Sequence, residues 1–144
     1  MGRPVFLLPL ASVALAAAAL ASAAGAGAPP SSVKATVKDT SSGSRQVTIV
    51  NGSSQSFPGY FISSTDNPKI TAASDKSCKM GTSPWSASGK SHIDYWANCT
   101  ASIAAGKTLN VKLTTSGSGT IFVWVKTGTA ANPNGIEYKI GTGT

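Results

Sequence analysis

The chain contains one histidine, His92, within the tetrapeptide Ser91-His92-Ile93-Asp94. These residue types are those of a serine nucleophile with its base and acid. A catalytic triad requires the serine on one side of the imidazole and the acid on the other. On a β-strand His92 and Asp94 would share one face while Ser91 points to the opposite face. We therefore expect no triad here, and a structural or solvent-facing role for His92.

Metal ligands are as scarce as catalytic groups. His92 and Asp94 would supply two ligands, but no further histidine is present, and the other carboxylates are scattered along the chain. The turns Asp66-Asn67-Pro68 and Asn132-Pro133-Asn134-Gly135 carry oxygen ligands without the spacing of a dedicated calcium loop. The isolated carboxylates are Asp39, Asp66, Asp75 and Glu137. We predict no catalytic residues, no metal and no cofactor, and hence no enzyme.

Two cysteines, Cys78 and Cys99, suit a single disulfide in an oxidising compartment. Closing a loop of about 22 residues should contribute roughly 3 kcal/mol in the loop-entropy model. We expect the bridge to pin residues 79–98 against a sheet. Lys76 and Lys79 would favour a thiolate at Cys78, but a redox-active thiol usually has a second cysteine close by in sequence.

Three tryptophans are the candidates for ligand contact: Trp85, Trp96 and Trp124. Trp85 lies in residues 80–89, a stretch of small residues that we predict to be a loop. Its ring would serve as a stacking platform for a sugar, as an anchor for a partner protein, or as a cover for one end of a sheet. Three rings exposed on one flat face would favour sugar binding, and buried rings would argue against it.

Charge is sparse and positive. Lys and Arg number 12 against 5 Asp and Glu, which gives a formal charge of +7, and charged residues make up 12% of the chain, where about 25% is usual. The lysines are dispersed, and arginine, the preferred reader of bases, is nearly absent. We predict no nucleic-acid partner. Weak attraction to an anionic polymer and an ordinary solvated surface both remain open.

Two tripeptides, Asn51-Gly52-Ser53 and Asn98-Cys99-Thr100, match the N-glycosylation pattern. Asn51 and Asn98 are therefore candidate glycan acceptors, provided that the host is a eukaryote.

The N-terminal residues have the composition of a secretory signal peptide. One Arg precedes an apolar run from Val5 to Ala21, and small residues follow. We predict a signal peptide at 1–23, with cleavage after residue 23 or 26, a flexible leader at 24–32 and one domain at 33–144. The product would be secreted, or periplasmic in a Gram-negative bacterium, with no membrane span after removal of the signal, and monomeric.

The mature chain has the period of β-strands, with apolar residues alternating with polar ones. We predict strands at 33–38, 46–50, 59–62, 70–73, 91–97, 109–113, 121–125 and 136–140. Their connections are rich in Gly, Ser, Asn and Pro, which turns require. Short strands with frequent turns favour an all-β, immunoglobulin-like antiparallel β-sandwich of seven or eight strands with one disulfide.

Two family resemblances agree with this fold. Residues 47–53 (VTIVNGS), Cys78, the run Trp96-Ala97-Asn98-Cys99 and residues 103–111 (IAAGKTLNV) resemble the immunoglobulin-like repeats of bacterial surface and adhesion-related proteins. Residues 56–62 (SFPGYFI) and 116–122 (SGSGTIF) resemble the Reeler domain found in reelin and in insect defence proteins. Both resemblances imply extracellular binding or structure, and neither supplies catalytic residues.

Three functions follow from these observations, in decreasing order of support. The first is a secreted non-enzymatic sandwich that adheres to, or binds, an extracellular protein or polysaccharide. The second is a carbohydrate-binding module that stacks sugars on Trp85, Trp96 and Trp124. The third is a small hydrolase, which the scarcity of acid and base groups disfavours.

Overall fold

The computed structural model describes residues 29–127 and 137–144. The predicted signal peptide, residues 24–28 of the leader and the Asn132–Gly135 turn lie outside these ranges. No helix in the described part of the chain is long and apolar enough to cross a membrane.

The fold is an antiparallel β-sandwich, as the sequence predicts, and its described part contains nine strands rather than seven or eight. The four-stranded sheet has the order β1-β2-β7-β4 and the five-stranded sheet the order β5-β6-β3-β8-β9. The strands are β1 Val33–Ser41, β2 Ser44–Asn51, β3 Gly59–Thr65, β4 Lys69–Ala73, β5 Cys78–Ala87, β6 Lys90–Cys99, β7 Thr108–Ser116, β8 Ile121–Lys126 and β9 Glu137–Gly143.

Alternation along the strands builds the core between the two sheets. In β8, Ile121, Val123 and Val125 are fully buried, while Phe122 and Trp124 between them point the other way. The same period buries alternate residues of the central strands. The core members that these strands contribute are Val47, Ile49, Tyr60, Ile62, Ala97, Cys99, Val111 and Leu113. Since β6, β3 and β8 each have a neighbour on both sides, they form the middle of the five-stranded sheet.

The prediction of a loop at residues 80–89 is wrong, because residues 78–87 form strand β5. Its sequence has no apolar alternation, and from Thr82 to Ala87 every residue is exposed. The strand is held by its partner instead, since it pairs with β6 over ten residues from Cys78 to Ala87. Pro84 is compatible with this position because β5 lies at the edge of the sheet.

The predicted disulfide is present and lies within the β5–β6 hairpin. Cys78 and Cys99 are directly opposite each other in the register of the two strands, with their Cα atoms 3.9 Å apart. The bridge therefore links the two strands at the end of the hairpin opposite its turn. The hairpin joins the five-stranded sheet through the pairing of β6 with β3. No cysteine in the described residues is free.

Candidate functional site

The register of the five-stranded sheet places all three tryptophans on its outer face, away from the core. Trp85 is opposite His92, and Trp96 lies on the same strand as His92, four residues farther along. Residues separated by an even number along a strand share a face. Trp124 is opposite Phe61, which is opposite Asn98, two residues from Trp96. We call this outer surface, with Phe61, Trp85, Trp96, Phe122 and Trp124, the aromatic face.

Trp96 lies across the neighbouring strand β5, over Gly81. A Cβ atom added to Gly81 would overlap three consecutive atoms of the indole six-membered ring, Cζ2, Cη2 and Cε2. A ring face, rather than a ring edge, therefore covers Gly81. The indole N–H donates to Ser83 Oγ at 3.0 Å, and the Phe61 ring is stacked against Trp96 with its centroid 6.2 Å away.

Trp124 is held in the same manner on β8, two strands away from Trp96 on β6. Its indole N–H donates to Ser63 Oγ on β3 at 3.2 Å. Both tryptophans thus have their only polar atom occupied by a serine of the sheet. Phe122 is on the same strand as Trp124, and the ammonium of Lys139 on β9 lies 5.7 Å from the centroid of the Phe122 ring, a cation–π contact.

Trp85 is the most exposed of the three rings, at 41%. It is stacked on His92 with ring centroids 4.5 Å apart. His92 Nδ1 is 2.7 Å from Asp66 Oδ2, and Asp66 also accepts from the backbone N–H of Ile93 at 2.9 Å. These hydrogen bonds, that of His92 first, hold the pKa of Asp66 below its usual value.

The acid nearest His92 is therefore not Asp94, the carboxylate that accompanies it in the sequence. Asp94 instead accepts a hydrogen bond from Thr65 Oγ1 at 2.7 Å. Asp66, which looks isolated in the sequence, comes from the turn between β3 and β4 and approaches β6 through tertiary structure. His92, held by Asp66, thus contacts the Trp85 ring by stacking, and its structural or solvent-facing role stays a prediction.

An open groove of about 530 Å³ runs over the aromatic face. Its lining combines aromatic side chains with hydrogen-bonding groups. The groove is lined by Phe61, Ser63, Ser83, Asp94, Trp96, Asn98, Trp124 and Glu137. Of the tryptophans, Trp96 and Trp124 thus share one groove, whereas Trp85 stands beyond its lining, toward the turn of the hairpin.

A buried lysine lies at the β8–β9 end of the groove. Lys126 is 2% exposed, and its ammonium donates to Asn98 Oδ1 and to the carbonyl of Cys99. Burial lowers the pKa of Lys126, while the charge of Glu137 opposes that change. The ammonium thereby fixes the orientation of the Asn98 amide in the groove.

The two predicted glycan acceptors occupy structural positions. Asn51 is fully buried, and its amide nitrogen donates to the carbonyls of Gln55, Ile103 and Ala104. Its position in the folded domain therefore counts against glycosylation there. Asn98 lies in the groove with its amide oxygen held by Lys126.

Metal ligands are not clustered in the part of the chain that the structure describes. No group of three or more His, Cys, Asp or Glu side chains there could hold a metal ion. Asp66, one of the turn carboxylates considered for calcium, is engaged by His92 and Ile93.

No protein-family model matches the sequence, and no curated protein matches it. Among solved structures, the chain is similar to the crystal structure of ChBD2 from Thermococcus kodakarensis KOD1, with 13% identity and a TM-score of 0.39 over 81% of this chain and 100% of that one. It is also similar to ChBD3 from the same organism, with 12% identity and a TM-score of 0.37 over 80% of this chain and 96% of that one. At these values neither likeness carries an argument about function.

Proposed function

We propose that this protein is a secreted, non-enzymatic domain that binds a polysaccharide on the aromatic face. The observation that carries the proposal is the common placement of Trp85, Trp96 and Trp124 on one outer sheet face. Three exposed rings on one flat face would favour sugar binding; here the three rings share a face, with Trp85 exposed and Trp96 and Trp124 half-buried. Of the three functions considered from the sequence, this is the second, a carbohydrate-binding module. It is also a specific form of the first, in which the extracellular partner is a polysaccharide.

The chemistry of the groove supports a sugar ligand. A pyranose ring presents a face of C–H groups, which packs on an aromatic ring, and an edge of hydroxyl groups, which need donors and acceptors. Trp96 and Trp124 line the groove as ring surface rather than as donors, because their N–H groups are already bound to serines. Asp94 and Glu137 line the same groove and offer acceptors for the hydroxyl groups. Asn98, whose amide oxygen accepts from Lys126, offers the N–H groups of its amide as donors.

The separation of the two groove carboxylates supports binding without hydrolysis. Asp94 on β6 and Glu137 on β9 are three strands apart and six ladder positions apart. With about 4.8 Å between strands and 3.4 Å per residue, their Cα atoms are roughly 25 Å apart. A glycosidase needs its two carboxyl groups within about 5–9.5 Å of each other.

The strand order supports an immunoglobulin-like framework. Without the β5–β6 hairpin, the orders β1-β2-β7-β4 and β3-β8-β9 match the ABED and CFG sheets of the constant-type immunoglobulin domain. The hairpin, inserted between the fourth and the fifth framework strands, widens the second sheet. On this proposal the insertion supplies Trp85 and Trp96. The Reeler resemblance stays a prediction from two short segments.

A sedimentation assay with insoluble chitin, cellulose, xylan and mannan tests the proposed function. We expect the secreted domain to bind at least one of them, and Trp96→Ala or Trp124→Ala to weaken binding at least about tenfold, which corresponds to 1.4 kcal/mol. Ile93→Ala is the control, because Ile93 is an exposed apolar residue of β6, at 41%, but lies on the opposite face of that strand.

Circular dichroism and thermal unfolding establish that each variant is folded. The proposal is wrong if the wild-type domain binds none of the polysaccharides. It is equally wrong if Ile93→Ala weakens binding as much as the tryptophan variants do, and capture of a partner protein by the same face would then favour the adhesive alternative.

A further inference from the structure

The two groove tryptophans are held by the same local geometry, repeated two strands apart. Trp96 donates to the serine two residues beyond its cross-strand partner Gly81. Trp124 donates to Ser63, which likewise lies two residues beyond the cross-strand partner Phe61. Since β6 and β8 both run antiparallel to β3, they run in the same direction. The two indoles therefore lean the same way over the sheet.

Their spacing follows from the register. Trp96 is displaced from Trp124 by two strands and by two residues along the strand. With strands about 4.8 Å apart and a rise of about 3.4 Å per residue, this displacement is roughly 12 Å. Phe61 lies between the two rings, opposite Trp124 and stacked against Trp96. The groove thus presents two indoles with the same lean and an apolar floor between them, over a length comparable with that of two sugar units.

We propose, resting on the proposed function above, that this groove selects one chain of a neutral β-(1→4)-linked polysaccharide, with Trp124 and Trp96 contacting units n and n+2. In such an extended ribbon, alternate units present the same face in the same direction. Chains linked α-(1→4) or β-(1→3) curve into helices, so that alternate units turn away from a common platform. The sheet twists by about 20–25° per strand, which a single flexible chain can follow and a flat crystalline surface cannot.

The charges of the groove specify a neutral ligand. Among its described lining residues, the charged ones are Asp94 and Glu137. Both carboxylates would repel the uronic acids of an anionic polysaccharide. Two ammonium groups lie near the groove without belonging to its described lining. That of Lys126 is buried and directed to Asn98 and Cys99, and that of Lys139 lies over the Phe122 ring. Among the described lining residues there is therefore no cationic side chain.

Gly81, Ser83 and Ser63 are the positioning residues of this site. Because Gly81 has no side chain, the Trp96 ring can lie directly over it; any side chain at that position would overlap the ring. Ser83 and Ser63 fix the rotation of the two indoles through their N–H groups. Loss of one of them should leave a binding surface of similar area whose rings no longer match alternate units of a ribbon.

Isothermal titration calorimetry with soluble oligosaccharides tests the proposal. We expect the hexamer of at least one neutral β-(1→4) series, among the gluco-, N-acetylglucosamine and manno-oligosaccharides, to bind at least tenfold more tightly than maltohexaose, laminarihexaose or hexagalacturonate. Affinity should rise at least tenfold from the disaccharide to the trisaccharide of that series, the shortest chain that covers both rings. Trp124→Ala should abolish that step.

Ser83→Ala and Gly81→Ala test the positioning. Both should reduce the preference for the β-(1→4) trisaccharide over maltotriose by at least fivefold, a ratio that a general loss of stability would not change. Ser86→Ala, on β5 but on its other face, should leave the ratio unchanged. Equal binding of the helical or anionic hexamers overturns this inference while leaving polysaccharide binding intact. Absence of binding to every oligosaccharide and every insoluble polysaccharide refutes the proposed function itself.

Discussion

Tyr60 is the one core side chain of β3 that carries an ionisable group. It is fully buried, and its hydroxyl donates to Asp75 Oδ2 at 2.5 Å. Burial, and then the hydrogen bond to Asp75, raise the pKa of Tyr60 far above its usual value of 10.0. Burial acts to raise the pKa of Asp75 as well, but hydrogen bonds from Tyr60 and Ser77 outweigh it and hold that pKa below its usual value. The pair fastens the chain just before Cys78 to the core.

We expect Tyr60→Phe to lower the free energy of unfolding by about 1–2 kcal/mol, because Asp75 loses a donor in a partly buried site. A raised pKa in the folded state contributes stability that is present below pH 10 and is lost as the pH rises further. The difference between wild type and variant should therefore shrink above about pH 10. Urea unfolding at pH 7 and at pH 10.5–11 measures both effects, with Tyr95→Phe as the control. An unchanged stability at pH 7 would show that the bond contributes nothing.

Residue types alone mark the tryptophans of the aromatic face as candidates, but not the residues that orient them. Gly81 and Ser83 lie in a stretch whose composition is that of a loop, and Ser63 is one of many serines. Their roles arise from the register between β5 and β6 and between β3 and β8. The partnership of His92 with Asp66 is likewise tertiary, since the two residues are 26 positions apart. A single sequence carries no pattern that brings them together.

Strands with one buried face are predictable from the sequence, and β5 is the exception that shows why. Strands such as β7 and β8 bury alternate residues in the core, and this burial produces the period of two. The outer half of β5 is exposed on both faces, so its residues satisfy no such requirement. This segment is a strand because it pairs with β6 and is joined to it by the bridge between Cys78 and Cys99. Backbone pairing requires no particular side chains, so it cannot be predicted from the residue types of the segment.

The disulfide therefore acts chiefly on the β5–β6 hairpin. We expect the double variant Cys78→Ala/Cys99→Ala to lose up to about 3 kcal/mol of stability, because the bridge no longer restricts the unfolded chain. Amide hydrogens of β5 should exchange faster with solvent at once, while those of β3 and β8 keep their protection, since β5 is an edge strand. Hydrogen exchange followed by mass spectrometry measures this, and the wild-type protein treated with a reductant is the matched comparison. Equal exchange in β5 with and without the bridge would contradict the prediction.

On the scale of the whole molecule, the net charge of the chain and the charge of the groove lining have opposite signs. The chain carries +7 with 12% charged residues, yet the charged residues described in the groove lining are the carboxylates of Asp94 and Glu137. Two kinds of binding are therefore separable. A neutral chain would be held by ring faces and hydroxyl contacts, whereas an anionic polymer would be attracted to the dispersed lysines of the surface.

Ionic strength distinguishes these two modes. The Debye length falls from about 10 Å at 0.1 M salt to about 3 Å at 1 M, so attraction between the dispersed lysines and an anionic polymer should largely disappear over that range. We expect the affinity for the preferred neutral polysaccharide to change less than about twofold over the same range, because stacking on Trp96 and Trp124 involves no net charge. Sedimentation with the neutral polysaccharide and with polygalacturonate at both salt concentrations measures the difference.

Trp96→Ala should weaken binding to the neutral polysaccharide and leave binding to polygalacturonate unchanged. A loss of neutral binding parallel to the loss of polygalacturonate binding would instead assign the ligand surface to the lysines rather than to the aromatic face.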